Sequence, residues 1–259
     1  MAKPFLCLCF LLLGLPPAQA AESVFLEELT WPELRDQIHA GKTTVIVPIG
    51  GTEQNGAHMA LGKHNFRVRY LSEKIARTLG NALVAPVIAY VPEGALAPPT
   101  GHMGFPGTIT VPEDAFNKIL EYAARSFKLA GFRDIVFLGD HGSYQKDEKA
   151  VAERLNKEWA SQPIRVHGVE EYYRASESEF GQLLASKGYR EGEVGTHAGL
   201  ADTSLTLAVA PHLVRTDRLQ AGHGANGDPH RSSAELGQLG VDLIVTHTVD
   251  AIRKAISHP

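Results

Sequence analysis

Two stretches of this chain leave little freedom in how it can fold. "TTVIVPIG", Thr43 to Gly50, is short, β-branched and almost wholly apolar, and "RDIVFLGD", Arg133 to Asp140, has a similar apolar centre. Such runs read as strands buried on both faces, the kind found in parallel sheets covered by helices. The intervening segments agree. Thr30 and Glu33 of "TWPEL" match a capping box that opens a short helix to about His39. "FRVRYLSEKIARTLG" carries a helical pattern with Gly80 as its stop. "PEDAFNKILEYAARSFKLAG" is another helix, with Pro112, Glu113 and Asp114 at its start and Gly131 at its end. "ALVAPVIAYV" and "PIRVHGV" read as further strands. A Lys-, Glu- and Ala-rich helix runs to about Trp159, and a second capping box, Ser232 to Glu235, starts a long helix to about Ile256. Strands alternating with helices predict an α/β fold with a parallel sheet covered on both faces.

The amino end reads differently. Lys3 precedes an apolar run, Phe5 to Leu15, that ends in Ala18-Gln19-Ala20. This is the pattern of a signal peptide over residues 1–20, too short and too poorly flanked for a membrane span. The expectation is a periplasmic or secreted protein, with a single α/β domain over 21–259 and no membrane contact after cleavage. Both cysteines, Cys7 and Cys9, leave with that leader. The remaining chain must then depend on its core, for which 44% hydrophobic residues suffice. A net charge of −4 with mixed signs argues against nucleic acid or an anionic membrane as partner.

In open α/β sheets, ligands bind beyond the carboxyl ends of the strands. Two polar, Gly-rich loops follow predicted strands there: "GGTEQNGAHMALGKHN", Gly50 to Asn65, and "GDHGS", Gly139 to Ser143. The first offers Glu53, His58 and His64, the second His141. Imidazole and carboxylate together suit zinc, with manganese or iron as alternatives. "GTHAGLADTS" adds His197 and Asp202 as acid–base or supporting groups, although Asp202 or Thr203 would also serve as a helix cap. "GHMGFPGTIT" is a tight turn whose His102 could border a pocket. "GANGDPHRSSAELG" reads as a turn before a capped helix and lacks the Lys and spacing of a phosphate loop. "GDHGS" has His141 where a hydrolase nucleophile elbow needs Ser, so nucleophilic catalysis by the protein is the poorer reading.

In this order the segments resemble the motifs of the creatininase (creatinine amidohydrolase) family. "EQNGAHMALGKH" resembles E-Q-H-G-P-H-L-P-L-x-T-D, "GFPGTIT" the family's middle motif, and "FLGDHGS" a strand ending in N-G-H-G-G. "HAGLADTSLTLAVAPHLV" and "GDPHRSSAELG" are similar to its two later motifs. The resemblance implies a three-layer αβα sandwich and a homo-oligomer, often a hexamer. It also implies divalent metals at the strand ends and hydrolysis of a C–N bond in a small-molecule amide. Its departures are specific: Asn55 stands for the first-motif His, His64 for the metal-bridging Asp, and Leu200 and Asp202 for the later acids. An imidazole offers one nitrogen to one metal, so the second metal site should suffer most.

The expectation is therefore a mononuclear amidohydrolase with Glu53, His64 and His141 as metal ligands, most simply to zinc. Asp202 and His197 would be catalytic, and Asn55 and His102 would contact substrate. The alternative is a non-catalytic relative that keeps the fold and binds a small molecule or a metal.

Overall fold

A computed structural model describes residues 23–257. The leader read at 1–20 lies outside the described residues. The strands are β1 (Thr44–Ile49), β2 (Ala82–Val84), β3 (Asp134–Gly139) and β4 (Arg165–Gly168). The helices are α1 (Trp31–His39), α2 (Lys63–Leu79), α3 (Glu113–Ala130), α4 (Gln145–Glu158), α5 (Glu170–Arg174), α6 (Phe180–Ser186), α7 (Glu191–Val194), α8 (Leu200–Val209) and α9 (Ala234–Ser257). The strands form one sheet in the order β2-β1-β3-β4, and every neighbouring pair is parallel.

Alternation along the central strands explains the three layers. Ile46 of β1 and Val136 and Leu138 of β3 join a core with Val68, Leu71 and Ile75 of α2 and Val241 and Ile244 of α9. Val45, Val47 and Ile49, with Ile135 and Phe137, turn the other way. They pack with Phe116, Leu120 and Ala124 of α3 and Val151 and Leu155 of α4. Both faces of the sheet are thus covered, and the fold is a three-layer αβα sandwich. β1 and β3 pair from Thr44 opposite Asp134 to Ile49 opposite Gly139, so the two strands end level. The loops that follow them leave from the same edge.

Three local differences from the sequence reading bear on the site. The second strand is shorter than expected, because Pro86 cannot donate to a ladder; beyond β2 only an isolated bridge pairs Ile88 with Ile49. Helix α2 starts at Lys63 rather than near Phe66, which places Lys63 and His64 on its first turn, with Arg67 one turn on. The cap of α9 is Ser233, not Ser232: its hydroxyl accepts from Leu236 N–H at 3.2 Å.

Helices α8 and α9 cross at unusually close range. A Cβ added at Gly237 would lie 1.9 Å from the Ser204 carbonyl oxygen, and one at Gly240 would lie 2.7 Å from Leu205 Cδ2. The contact at Gly237 is with backbone and cannot be relieved by a rotamer change. Gly237→Ala should therefore destabilise the fold by about 1–3 kcal/mol through overpacking, outweighing the helix propensity it gains. Urea unfolding of the variant beside the wild type measures this.

Candidate metal centre

The level ends of β1 and β3 set the site. Glu53 follows β1 and is fully buried, 0% exposed. Four imidazoles surround its carboxylate. His64 comes from the first turn of α2, His141 from the end of β3, His102 from the turn before "FPGT", and His197 from the loop before α8. His64 Nε2 lies 2.8 Å and His197 Nδ1 3.6 Å from Glu53 Oε1. His102 Nε2 lies 3.1 Å and His141 Nε2 3.4 Å from Oε2. Neither of these last two rings is aligned to donate to Oε2, which accepts no hydrogen bond from the described residues. Two donor groups that a cation could share emerge, Glu53–His64–His141 and Glu53–His102–His197. Ligands about 2.0–2.2 Å from a tetrahedral cation stand roughly 3.4 Å apart, so most of these separations suit a common metal.

The partners of the rings decide what each presents to Glu53. His64 Nδ1 is 2.7 Å from Asp140 Oδ2, so Nδ1 carries the proton and Nε2 turns toward Glu53. Asp140 also accepts from Arg67 Nε at 2.8 Å and from the Tyr172 hydroxyl at 2.6 Å. Burial pushes the Asp140 carboxyl up, but Arg67 and His64 outweigh it and hold the group below its ordinary value. Gln54 governs two more rings. Its Oε1 accepts from Gly56 N–H and its Nε2 donates to the Gly224 carbonyl, which fixes the amide's orientation. The remaining N–H then points at His102 Nδ1, 2.7 Å away, so the His102 proton sits on Nε2. His197 Nε2 donates to the Gln54 carbonyl at 2.9 Å, leaving Nδ1 as a lone pair facing Glu53. His141 Nδ1 is 2.9 Å from Ser143 Oγ, whose hydroxyl donates to the Pro92 carbonyl. Nδ1 also accepts from Ser143 N–H at 3.2 Å, which holds the ring with Nε2 facing the carboxylates.

Charge follows the same plan. Burial pushes Glu53 up, yet His141, His64 and Lys63 hold it well below the usual carboxylate range. Burial, then Lys63, pushes His197 down to about 3, and burial also lowers His102, so both are neutral imidazoles. His141 is raised: the carboxylates of Glu53 and Glu93 outweigh its burial.

Asp202, in the first turn of α8, does not face Glu53 openly. It is ion-paired to the buried Lys63 ammonium, it accepts from Arg67 Nη1 at 2.5 Å, and its Oδ2 accepts from Ala198 N–H at 2.8 Å. Asn55 is buried, and its amide donates to the carbonyls of Glu53 and Ala60 at 2.9 and 3.1 Å, holding the loop's shape. His58 lies apart from the cluster, buried, with Nε2 3.0 Å from Thr203 Oγ1. Sequence reasoning missed five residues: Lys63, Arg67, Asp140, Gln54 and Glu93. Asp140 was visible as the last residue of the "RDIVFLGD" run, and Glu93 as the acid beyond the second strand; each had a position to recommend it but no motif.

A parallel α/β sandwich with a buried carboxylate among imidazoles at its strand ends defines a class, the α/β proteins with a carboxylate–imidazole metal centre. A family model described as creatinine amidohydrolase matches residues 27–252, and the chain belongs to this creatininase family. Creatinine amidohydrolase of Pseudomonas putida is 25% identical over 90% of this chain and 98% of its own length. A mycofactocin precursor peptide peptidase of Mycolicibacterium smegmatis is 29% identical over 73% of this chain and 67% of its own. A manganese form of creatininase superposes with a TM-score of 0.75 at 25% identity, covering 92% of this chain and 100% of that one.

Asp140 and Asp202 both have lowered pKa values, so each contributes stability that is complete above its ordinary value of 3.8 and is lost as pH falls toward the folded value. Acid unfolding of the metal-free protein, followed by circular dichroism, should show this loss below about pH 4. Asp140→Asn should do two things at once. It frees His64 from its fixed orientation, lowering metal affinity about 10–100-fold. It also removes one of the two carboxylates that neutralise the buried Arg67, which keeps only Asp202, costing about 1–3 kcal/mol. Competition with a chelator reads the first effect, and urea unfolding the second.

Proposed function

We propose that this chain is an exported, metal-dependent amidohydrolase that cleaves a C–N bond of a small-molecule amide at a mononuclear centre. The observation that carries the reading is the Glu53 carboxylate: it is fully buried, has an oxygen without a hydrogen bond, and is flanked by imidazoles whose partners leave lone pairs turned toward it. The donor set of carboxylate and neutral imidazole fits zinc, manganese or iron, zinc best. The named activities of the relatives, an amidohydrolase and a peptidase, support C–N bond hydrolysis. The leader at residues 1–20 supports export.

Glu53, His64 and His141 would hold the metal. When bound, it supplies Lewis acidity and lowers the pKa of water toward neutrality. The chain's own residues do the rest. His102 is the outermost ring, its side chain 27% exposed, and it presents an N–H. It is placed to donate to a substrate carbonyl oxygen as negative charge develops there. His102 and His141 are the most exposed rings of the cluster, at 27% and 18% of their side chains. Asp202 acts by position: it anchors Lys63 and Arg67, and Arg67 in turn holds Asp140 against His64. A fixed ammonium then stands beside Glu53, with Lys63 Nζ 3.9 Å from Oε1.

That ammonium supports a single metal. Two positions of the family's motifs that would serve a second one are engaged, Asn55 with backbone carbonyls and Asp202 with two cations. Lys63, only 1% exposed, supplies positive charge where a second ion would otherwise be needed. The reading extends to a homo-oligomer, consistent with the exposed Tyr122 and Leu129 on α3.

Elemental analysis of the purified, untagged protein should find one zinc, manganese or iron per chain. Glu53→Ala and His64→Ala should each lose the metal along with hydrolysis of a panel of amides. Two metals per chain would refute the mononuclear reading. A chain that takes up none, after incubation with each metal, would instead be a non-catalytic binding protein of the same fold.

A further inference from the structure

We propose that Glu93 is a ligand of the metal centre, a carboxylate supplied by the loop after β2 that makes up for acids lost from the other motifs. The inference rests on the reading that the cluster holds a divalent cation. Glu93 is 6% exposed, its side chain lies at the cluster, and Oε2 is 3.7 Å from His141 Nε2. The same nitrogen is 3.4 Å from Glu53 Oε2, so two buried carboxylates approach one imidazole nitrogen. Neither Glu93 oxygen accepts a hydrogen bond from the described residues. A buried carboxylate without donors stays ionised only if a cation neutralises it and otherwise takes up a proton, and the Lys63 and Arg67 cations are already committed to Asp202 and Asp140.

The backbone around Glu93 is fixed far more tightly than a connecting loop requires. Thr110 Oγ1 accepts from Glu93 N–H at 3.0 Å and donates to the Gly94 carbonyl at 3.1 Å. Ser143 Oγ donates to the Pro92 carbonyl at 2.6 Å while standing 2.9 Å from His141 Nδ1, so one hydroxyl sets the Glu93 loop and the His141 ring relative to each other. Space is kept for the carboxylate as well. Gly51 has φ +152°, and a Cβ there would lie 2.6 Å from Glu93 Oε1. A residue held from both sides, with room left for its side chain and no protein donor to meet it, is placed for a ligand that the protein itself does not supply.

The test is a titration of metal-free wild type, Glu93→Gln and Glu93→Asp with Zn²⁺ by calorimetry and with Co²⁺ by visible absorption. Glu93→Gln should weaken Zn²⁺ binding at least about tenfold and change the Co²⁺ bands, because an anionic ligand has been removed. Glu93→Asp keeps the charge on a shorter arm and should fall between the two. Should Glu93→Gln fail to fold, the Asp variant decides alone. Unchanged affinity together with an unchanged Co²⁺ spectrum in both variants overturns the assignment while leaving the functional reading intact. A wild-type chain that binds neither ion overturns both.

Discussion

A carboxylate removed from water at the end of β1 is the constraint around which this molecule is organised. Burying Glu53 ionised is tolerable only because every neighbour that reaches it is a cation or a group able to accept one: Lys63, His64, His102, His141 and His197. Those neighbours need partners of their own. His64 leans on Asp140, Asp140 on Arg67 and Tyr172, and Arg67 and Lys63 on Asp202. The result is an alternating series of charges running from the sheet edge into the start of α8, in which removing one member strands the next. This explains why so much charge lies beneath the surface of a chain whose net charge is small.

The architecture was legible in the sequence because it depends on patterns that repeat. "TTVIVPIG" and "RDIVFLGD" could be little else than central strands, and the stops at Gly80 and Gly131 fall at the observed ends of α2 and α3, both with left-handed backbone. The site was legible in part. Glu53, His64 and His141 are drawn together, as are His102 and His197, whose rings stack at 4.3 Å. What could not be read was the helix start. Nothing in "LGKHN" announces that α2 begins at Lys63, since Gly62 makes no side-chain cap. Treating His64 as a loop residue hid its helical neighbours Lys63 and Arg67, and with them the link to Asp202. Gln54 escaped notice for a different reason. A side-chain amide sets the proton positions of two rings only in three dimensions, and spacing along the chain carries no trace of that.

Departures from the family's motifs look like losses when taken one at a time. Asn55 in place of a His and Leu200 in place of an acid each subtract a donor, and His64 in place of an Asp keeps a donor but loses a bridge. In three dimensions they come with other changes. The amide of Asn55 secures the loop that carries Glu53, His64 gains a carboxylate behind it, and Lys63 beside it brings a permanent charge. A site that was merely decaying would not be expected to keep four imidazoles around its remaining acid.

The groups facing Glu53 come from stretches far apart along the chain: the loop after β1, the start of α2, the end of β3 and the approach to α8. An ion gripped by them would do for this protein what disulfides do for many others, closing long loops and so reducing the entropy of the unfolded chain. The described residues contain no cysteine, so no disulfide among them can take over that task. Such a cross-link does not respond to the redox state of its surroundings. It responds to acidity and to the supply of free metal, which would make the durability of the whole sandwich, and not just its chemistry, depend on the ionic conditions around it.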